Sequence, residues 1–466
     1  MAGHEQAKAA GGCARPIRLA GQTDHVDLAT GEIRRASGPP VVHVRCNNRR
    51  ASACPTCSAL YKRDARRIVI TGLVGAAKGN QNVGAGCPVW FVTLTAPSFG
   101  PVHSRCGRGA EAKVCRPRRG TCEHGRALGC TERHGPDDRR LGEPICPRCF
   151  NYGRAVVWNS MCAALWKATR DRLESAVASA AGLTMTGLRR EIRVSFVKVA
   201  EMQKRGLVHL HVVIRVDGRD SSGEPAAVPS WAAGDLIADC LRGVVATVAV
   251  DAPDPAGVAL LDASGALPAQ PSSDGRWEVR WGAQVDIRRI DLDGETNAAQ
   301  VANYLAKYLT KSVTGNGLLD SPVRSLGHLA RLPLRDHPRR LVEACWRLGS
   351  DRAFAEALDA AAGRAPGRTV GLIRWSHAFG FGSHWMTKSR RYSTTFGAVR
   401  AVRRRWARLL GAALGGRPFG TDEAGGLVTL DEFGRPDGDA RTLVVGEWRY
   451  AGRGRDPSAT TDQAGA

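Results

Sequence analysis

Apolar and polar positions alternate most regularly in two neighbouring stretches, IRVSFVKVAEMQ and LVHLHVVIRVDG, separated by Lys204, Arg205 and Gly206. A period of two predicts strands, and Gly206 suits the tight connection, so residues 192–218 read as an antiparallel hairpin. Residues 88–95, PVWFVTLT, are β-branched and aromatic, end in the turn-like APSFGP, and predict a strand buried on both faces. Helical spacing appears at 158–181, where Trp158, Met161, Cys162, Leu165, Trp166 and Leu173 recur near one face, and again at 298–312 in AAQVANYLAKYLTKS. RWEVRWGAQVDIRRI at 276–290 returns to alternation, a helical patch covers 231–247, and helices rich in Ala and Arg follow residue 340.

Two stretches show no such core pattern. Residues 103–150 are rich in Gly, Arg, Cys and His, and 217–275 in acids, Pro, Gly, Ala and Ser; the latter read as an insertion with one short helix between linkers. The chain is therefore expected to be α+β. It divides into a loose leader at 1–40, a zinc-knuckle module at 41–87, a first core strand at 88–102 and a Cys/His insertion at 103–150. A core segment with the hairpin follows at 151–216, then the acidic insertion at 217–275, a second core segment at 276–340, a basic region at 341–420 and a tail at 421–466.

Charge narrows the partners. The 466 residues carry 67 Lys and Arg against 44 Asp and Glu, a formal charge of +23, which favours polyanions, with nucleic acid first. No apolar run approaches the length of a membrane span and the opening MAGHEQAKAAGG lacks the apolar stretch of a secretory signal, so no membrane role and a cytoplasmic location are expected. In that compartment 14 cysteines point to metal rather than to disulfides.

Three constellations could carry chemistry. His209 and His211 leave the same face of a strand, and Glu201 on the partner strand can cross to them; two imidazoles and a carboxylate suit Mg²⁺ or Mn²⁺ that also holds a phosphate oxygen. Two unrelated strand histidines are the competing reading. Tyr304 and Tyr308 lie one turn apart on a helix, each followed three residues later by a lysine, Lys307 and Lys311, whose charge would assist a phenol. Tyrosines packed as core with wet tips are the competing reading there. Cys54-x2-Cys57 and Cys146-x2-Cys149 have the spacing that clasps Zn²⁺. Cys46, with His43, can complete the first, and Cys122, His124, Cys130 and His134 the second; Cys106 and Cys115 stay open, and Cys13, Cys162, Cys240 and Cys345 read as core. Residues 360–421 hold no acid, and Lys388, Arg390, Arg391, Tyr392, Arg403, Arg404 and Arg405, interleaved with further rings, read as a nucleic-acid surface.

FVTLT at 91–95, the His-Leu-His of 209–211 and the Tyr-x-x-Lys-Tyr of 304–308 occur in the order of the three motifs of HUH endonucleases of the rolling-circle initiator type. CNNRRASACPTC, LGEPICPRCFNYGRAVVWN and FGFGSHWMTKSRRYSTTFG extend the resemblance to replication initiators of actinobacterial plasmids and integrative elements, over about residues 40 to 410. The resemblance implies an HUH-type central antiparallel sheet flanked by helices, with His209, His211 and Glu201 on the ion and Tyr308 as first-choice nucleophile. It also implies nicking of single-stranded origin DNA through a 5′-phosphotyrosine, a freed 3′-OH primer, and a host helicase and polymerase as partners. Tyr304 stands where related initiators have an acid, as in two-tyrosine phage-type initiators. An HUH transposase, or a non-catalytic zinc-containing DNA-binding regulator, are the alternatives.

Overall fold

The computed structural model describes residues 10–36, 40–74, 87–105, 107, 113–257, 275–290, 295–310, 319, 322–364, 371–414, 419–422, 425–436 and 439–454; at 295–297 and 308–310 it describes the backbone alone. The Tyr308 side chain, Lys311 and Cys106 lie outside the described residues. The chain forms two units, Gly72–Ser393 and a discontinuous one of Met1–Thr71 with Thr394–Ala466. Among the described residues no helix is long and apolar enough to cross a membrane.

The larger unit is built on an antiparallel sheet whose strands run, in spatial order, Val285–Ile290, Val89–Thr95, Val208–Arg219, Ile192–Met202 and Met386–Lys388. The hairpin of 192–219 is its centre, and Gly206 in the turn has φ +77°, with Leu341 so close that a Cβ there would collide with it. One face of the sheet carries Trp90, Val92, Leu94, Leu210, Val212 and Ile214. These share a core with Trp158, Met161, Leu165 and Trp166 of the helix Tyr152–Ala180. On the other face the helix Glu295–Thr310 packs against the Ile192–Met202 strand. Its Ala298, Ala302, Leu305 and Ala306 are buried at helical spacing, and the three alanines let the helix come close to the sheet.

One polar side chain ties the long helix to the turn. Buried Asn159 donates to the carbonyls of Gly206 and Phe379, both at 2.9 Å, and accepts from the Val208 amide at 3.0 Å. Asn159→Ala leaves three buried backbone groups without that partner, and should lower unfolding stability by about 2–4 kcal/mol in a urea melt.

The described part of the acidic stretch, 217–257 and 275, packs into the main core rather than standing apart from it. Its helix Leu236–Thr247 buries Ile237, Leu241, Val244 and Val245 in the main core, strands Ala249–Pro253 and Arg276–Arg280 pair, and buried Asp254 holds Arg154 at 2.7 Å. The acids sit off the apolar stripe, so average composition concealed it. Nor is the leader loose throughout. In the smaller unit the strand Ile17–Asp27 pairs with Thr442–Arg453 from the presumed tail, and also with Ile33–Arg35 and Val41–Val44. Helix Pro55–Leu73 meets helix Phe396–Leu414 through buried Asp64, 3.0 Å from Arg403, and through Tyr61 stacked on Phe396 at 5.2 Å.

Candidate active site and metal centres

Strand register assembles the first site. Glu201 and Thr95 both face His209, and Thr93 and Val199 face His211, so these side chains share the sheet face under the helix Glu295–Thr310. The donor atoms of Glu201, His209 and His211 lie within 4.8 Å of one another. His211, 3 % exposed, places Nε2 3.2 Å from Glu201 Oε2, and Nδ1 3.4 Å from Thr93 Oγ1. With the hydroxyl accepting from Nδ1–H, Nε2 turns a lone pair toward the carboxylate, and two acceptors that close need a cation or a proton between them. Adjacent ligands of an octahedral ion with bonds of about 2.1 Å stand about 3.0 Å apart. The donor set therefore fits a hard divalent ion. His209 Nδ1 meets Gln203 Nε2 at 3.2 Å, and Arg205 holds that amide's oxygen at 2.8 Å.

Tyr304 joins the site. Its ring centroid is 6.0 Å from that of His211 and 5.3 Å from Phe91, edge-on to both, and the residue is 46 % exposed. Lys307 is exposed one turn along the same helix. Phe91, the first residue of the FVTLT motif, packs against both Tyr304 and His211. Arg288 shares this face, directly opposite Phe91 on the edge strand.

The cysteines and remaining histidines fall into three further groups: Cys13, Cys46, Cys54, Cys57; Cys122, His124, Cys146, Cys149; and His103, Cys115, Cys130, His134. In the first, Cys13 Sγ lies 3.8 Å from Cys54 and 3.6 Å from Cys57. In the second, His124 Nδ1 lies 3.3 Å from Cys149 and 3.9 Å from both Cys122 and Cys146. Around tetrahedral zinc two thiolates stand about 3.8 Å apart and a thiolate and an imidazole about 3.5 Å, so both groups fit that ion. The groups sort the candidates. Cys13, and not His43, stands with Cys46, Cys54 and Cys57; Cys130 and His134 stand with His103 and Cys115; and Cys13, buried as expected, lies among the sulfurs of the first group. Backbone N–H groups of Ala14 and Cys46 reach the sulfurs of Cys54 and Cys13, both at 3.4 Å.

The basic stretch is also redistributed. Tyr392 is 2 % exposed beneath Arg215, and burial pushes its phenol up, so it presents no ring to a base. Phe379 and Phe381 are core as well. Arg403 is bound to Asp64 and Arg405 to Asp422 at 3.0 Å, while Lys388 Nζ lies 3.3 Å from the Ser389 carbonyl. Arg390, Arg391 and Arg404 are exposed, as is Trp406 at 69 %.

Behind the hairpin turn, His337 reaches the Arg205 carbonyl at 3.1 Å and the Tyr152 hydroxyl at 3.2 Å. Burial lowers its pKa from 6.5 to about 4, with the carbonyl of Arg205 acting the other way. The unfolded imidazole takes a proton below about 6.5 and the folded one only near 4. The unfolded chain therefore binds more protons in that window, and acidification through it favours unfolding, by roughly 3 kcal/mol in total. Urea midpoints measured from pH 7 to 4 should fall more steeply for the natural chain than for His337→Gln.

The replication initiator family RepSA, described as replication initiator protein of pSAM2, matches residues 2–465. The chain belongs to this family. A replication initiator protein of Streptomyces ambofaciens is similar to this RepSA member at 36 % identity over 464 residues, covering 97 % of this chain and 86 % of the relative. No solved structure matches the chain.

Proposed function

We propose that this RepSA member initiates replication by nicking single-stranded DNA at an origin, with an HUH-type site and a tyrosine nucleophile. The observation that supports it most is the Tyr304 ring standing 6.0 Å from His211, itself grouped with His209 and Glu201. Glu201, His209 and His211 would hold Mg²⁺ or Mn²⁺, which when bound supplies charge to the oxygens of a phosphodiester. Thr93 and Gln203 orient the two imidazoles, and Phe91 fixes the Tyr304 ring against them. The phenol oxygen attacks phosphorus as its P–O3′ bond breaks. The tyrosine–phosphate ester keeps the 5′ end, and the phenol's proton is in balance taken up by the leaving 3′ oxygen. That 3′-OH can prime a host polymerase behind a host helicase, and a later attack on the ester can rejoin the strand without ATP. Tyr308 and Lys311, four and seven residues after Tyr304 in the sequence, are proposed to serve the second transfer, and Lys307 to offset charge on the phosphate. The exposed cations Arg390, Arg391 and Arg404 are proposed DNA contacts. The Cys13 and Cys122 groups are proposed to hold structural zinc, and the cytoplasm to be the place of action.

Incubation with single-stranded origin oligonucleotides should give a covalent protein–DNA adduct on a denaturing gel with Mn²⁺ and none with a chelator. Cleavage without any adduct would defeat the tyrosine mechanism. Binding without cleavage would favour the regulator.

A further inference from the structure

The third Cys/His group has its own geometry and neighbours. His103 Nδ1 lies 3.2 Å from His134 Nε2, which lies 3.5 Å from Cys130 Sγ, and the Ser104 amide donates to Cys115 Sγ at 3.2 Å. Around tetrahedral zinc two imidazole nitrogens stand about 3.3 Å apart and an imidazole and a thiolate about 3.5 Å. On its far side, His134 Nδ1 meets Asp138 Oδ2 at 2.7 Å, and Arg140 holds that carboxylate at 2.9 Å. A carboxylate on the second nitrogen fixes the tautomer that turns Nε2 toward a metal. Four protein donors close the site, which is the mark of a structural ion.

This group is joined to the hairpin. His103 and the 142–143 segment exchange backbone hydrogen bonds, His103 N–H to the Glu143 carbonyl and Gly142 N–H to the His103 carbonyl, both 2.8 Å. Gly142, at φ +89°, lies so close to the Lys204 backbone that an added Cβ would fall 2.4 Å from its carbonyl carbon. Lys204 Nζ reaches back to the Pro136 carbonyl at 3.2 Å. Lys204 sits in the turn between Glu201 and His209, beside Gln203, whose amide meets His209.

We propose that His103, Cys115, Cys130 and His134 hold a zinc ion of their own, and that the loop it closes braces the turn beneath His209 and Glu201. The ion is a third one, distinct from that of the Cys122 group, and its loop acts as a positioning element. The bracing half rests on the proposed nicking site; the zinc half does not.

The test uses the full chain, with metal analysis after dialysis and Mn²⁺ titration followed by electron paramagnetic resonance. The natural protein should hold three zinc ions, and His103→Ala two. His103→Ala should also bind Mn²⁺ about 10-fold more weakly, the effect typical of a lost supporting shell. His103→Cys, which keeps a ligand, should restore both values. Gly142→Ala should keep three zinc ions yet weaken Mn²⁺ binding, since it disturbs the contact and not the ligands. Three zinc ions in His103→Ala would overturn the metal centre. Two zinc ions with unchanged Mn²⁺ affinity would overturn the brace. If His211→Ala leaves the Mn²⁺ titration of the natural protein unaltered, the nicking site fails, and with it the brace, while the zinc count still decides the centre.

Discussion

Tyr304→Phe/Tyr308→Phe is expected to form no covalent adduct with origin DNA, and Tyr304→Phe alone to lose the larger share. A neutral phenol is a weak nucleophile, so position must supply most of its reactivity. Tyr304 has that position: its ring is pinned edge-on by Phe91 and His211, with nearly half of the residue open to a substrate. Removing the attacking oxygen from both residues should cost at least about 10⁴ in rate, or about 5.5 kcal/mol. The resemblance to related initiators instead favours Tyr308. Peptide mapping of the adduct in each single variant decides between them, and an adduct that survives in the double variant would remove both from the mechanism.

His211→Ala should reduce Mn²⁺-dependent cleavage by about 10³, or about 4 kcal/mol, while leaving DNA binding near its natural strength. The imidazole is the hub of the site. It meets Glu201 through one nitrogen and Thr93 through the other, and it forms one wall for Tyr304. Its loss would remove a proposed ligand and one wall of Tyr304 together, whereas Arg390, Arg391 and Arg404, the proposed phosphate contacts, are left intact. Thr93→Val keeps the shape and deletes only the hydroxyl, so it should show a smaller loss, about 10-fold. Quantitative cleavage at saturating oligonucleotide separates the two effects from binding. Cleavage in His211→Ala equal to that of the natural chain would show that the ion, if any, binds elsewhere.

Local pattern revealed the parts of this molecule whose partners are near in sequence. The 192–218 hairpin, with Glu201 directly opposite His209, follows from alternation and one glycine, and the structure places both as that register requires. The strand at 89–95, although its partners lie far along the chain, and the helices at 152–180 and 295–310 were legible from their own periodicity, the first helix starting six residues before the predicted 158. What stayed hidden depends on long-range closure. Cys13 is 41 residues from Cys54, and nothing beside it marks it as a ligand. His103 and Cys115 meet His134 and Cys130 only because the intervening loop folds back, so spacing alone left the partition of these cysteines and histidines open. The rings of 379–392 were misplaced because a basic, aromatic stretch looks the same whether its rings stack bases or fill a core; Tyr392 does the latter.

The pairing of Ile17–Asp27 with Thr442–Arg453 has a bearing on how the chain is made. Thr23 and Trp448, hydrogen-bonded in that ribbon, are 425 residues apart, so the first strand leaves the ribosome long before its mate does. Closing so long a loop from an unstructured chain would cost roughly 5 kcal/mol in entropy. The intervening 72–393 can fold meanwhile, and its two ends are neighbours, since a Cβ on Gly72 would lie 2.0 Å from the Tyr392 ring. Once that segment has folded, it spans the gap as a short tether, and synthesis order stops being a handicap. A premature stop shortly after residue 393 would spare the unit that holds Glu201, His209 and His211 and leave the strand Ile17–Asp27 without its mate.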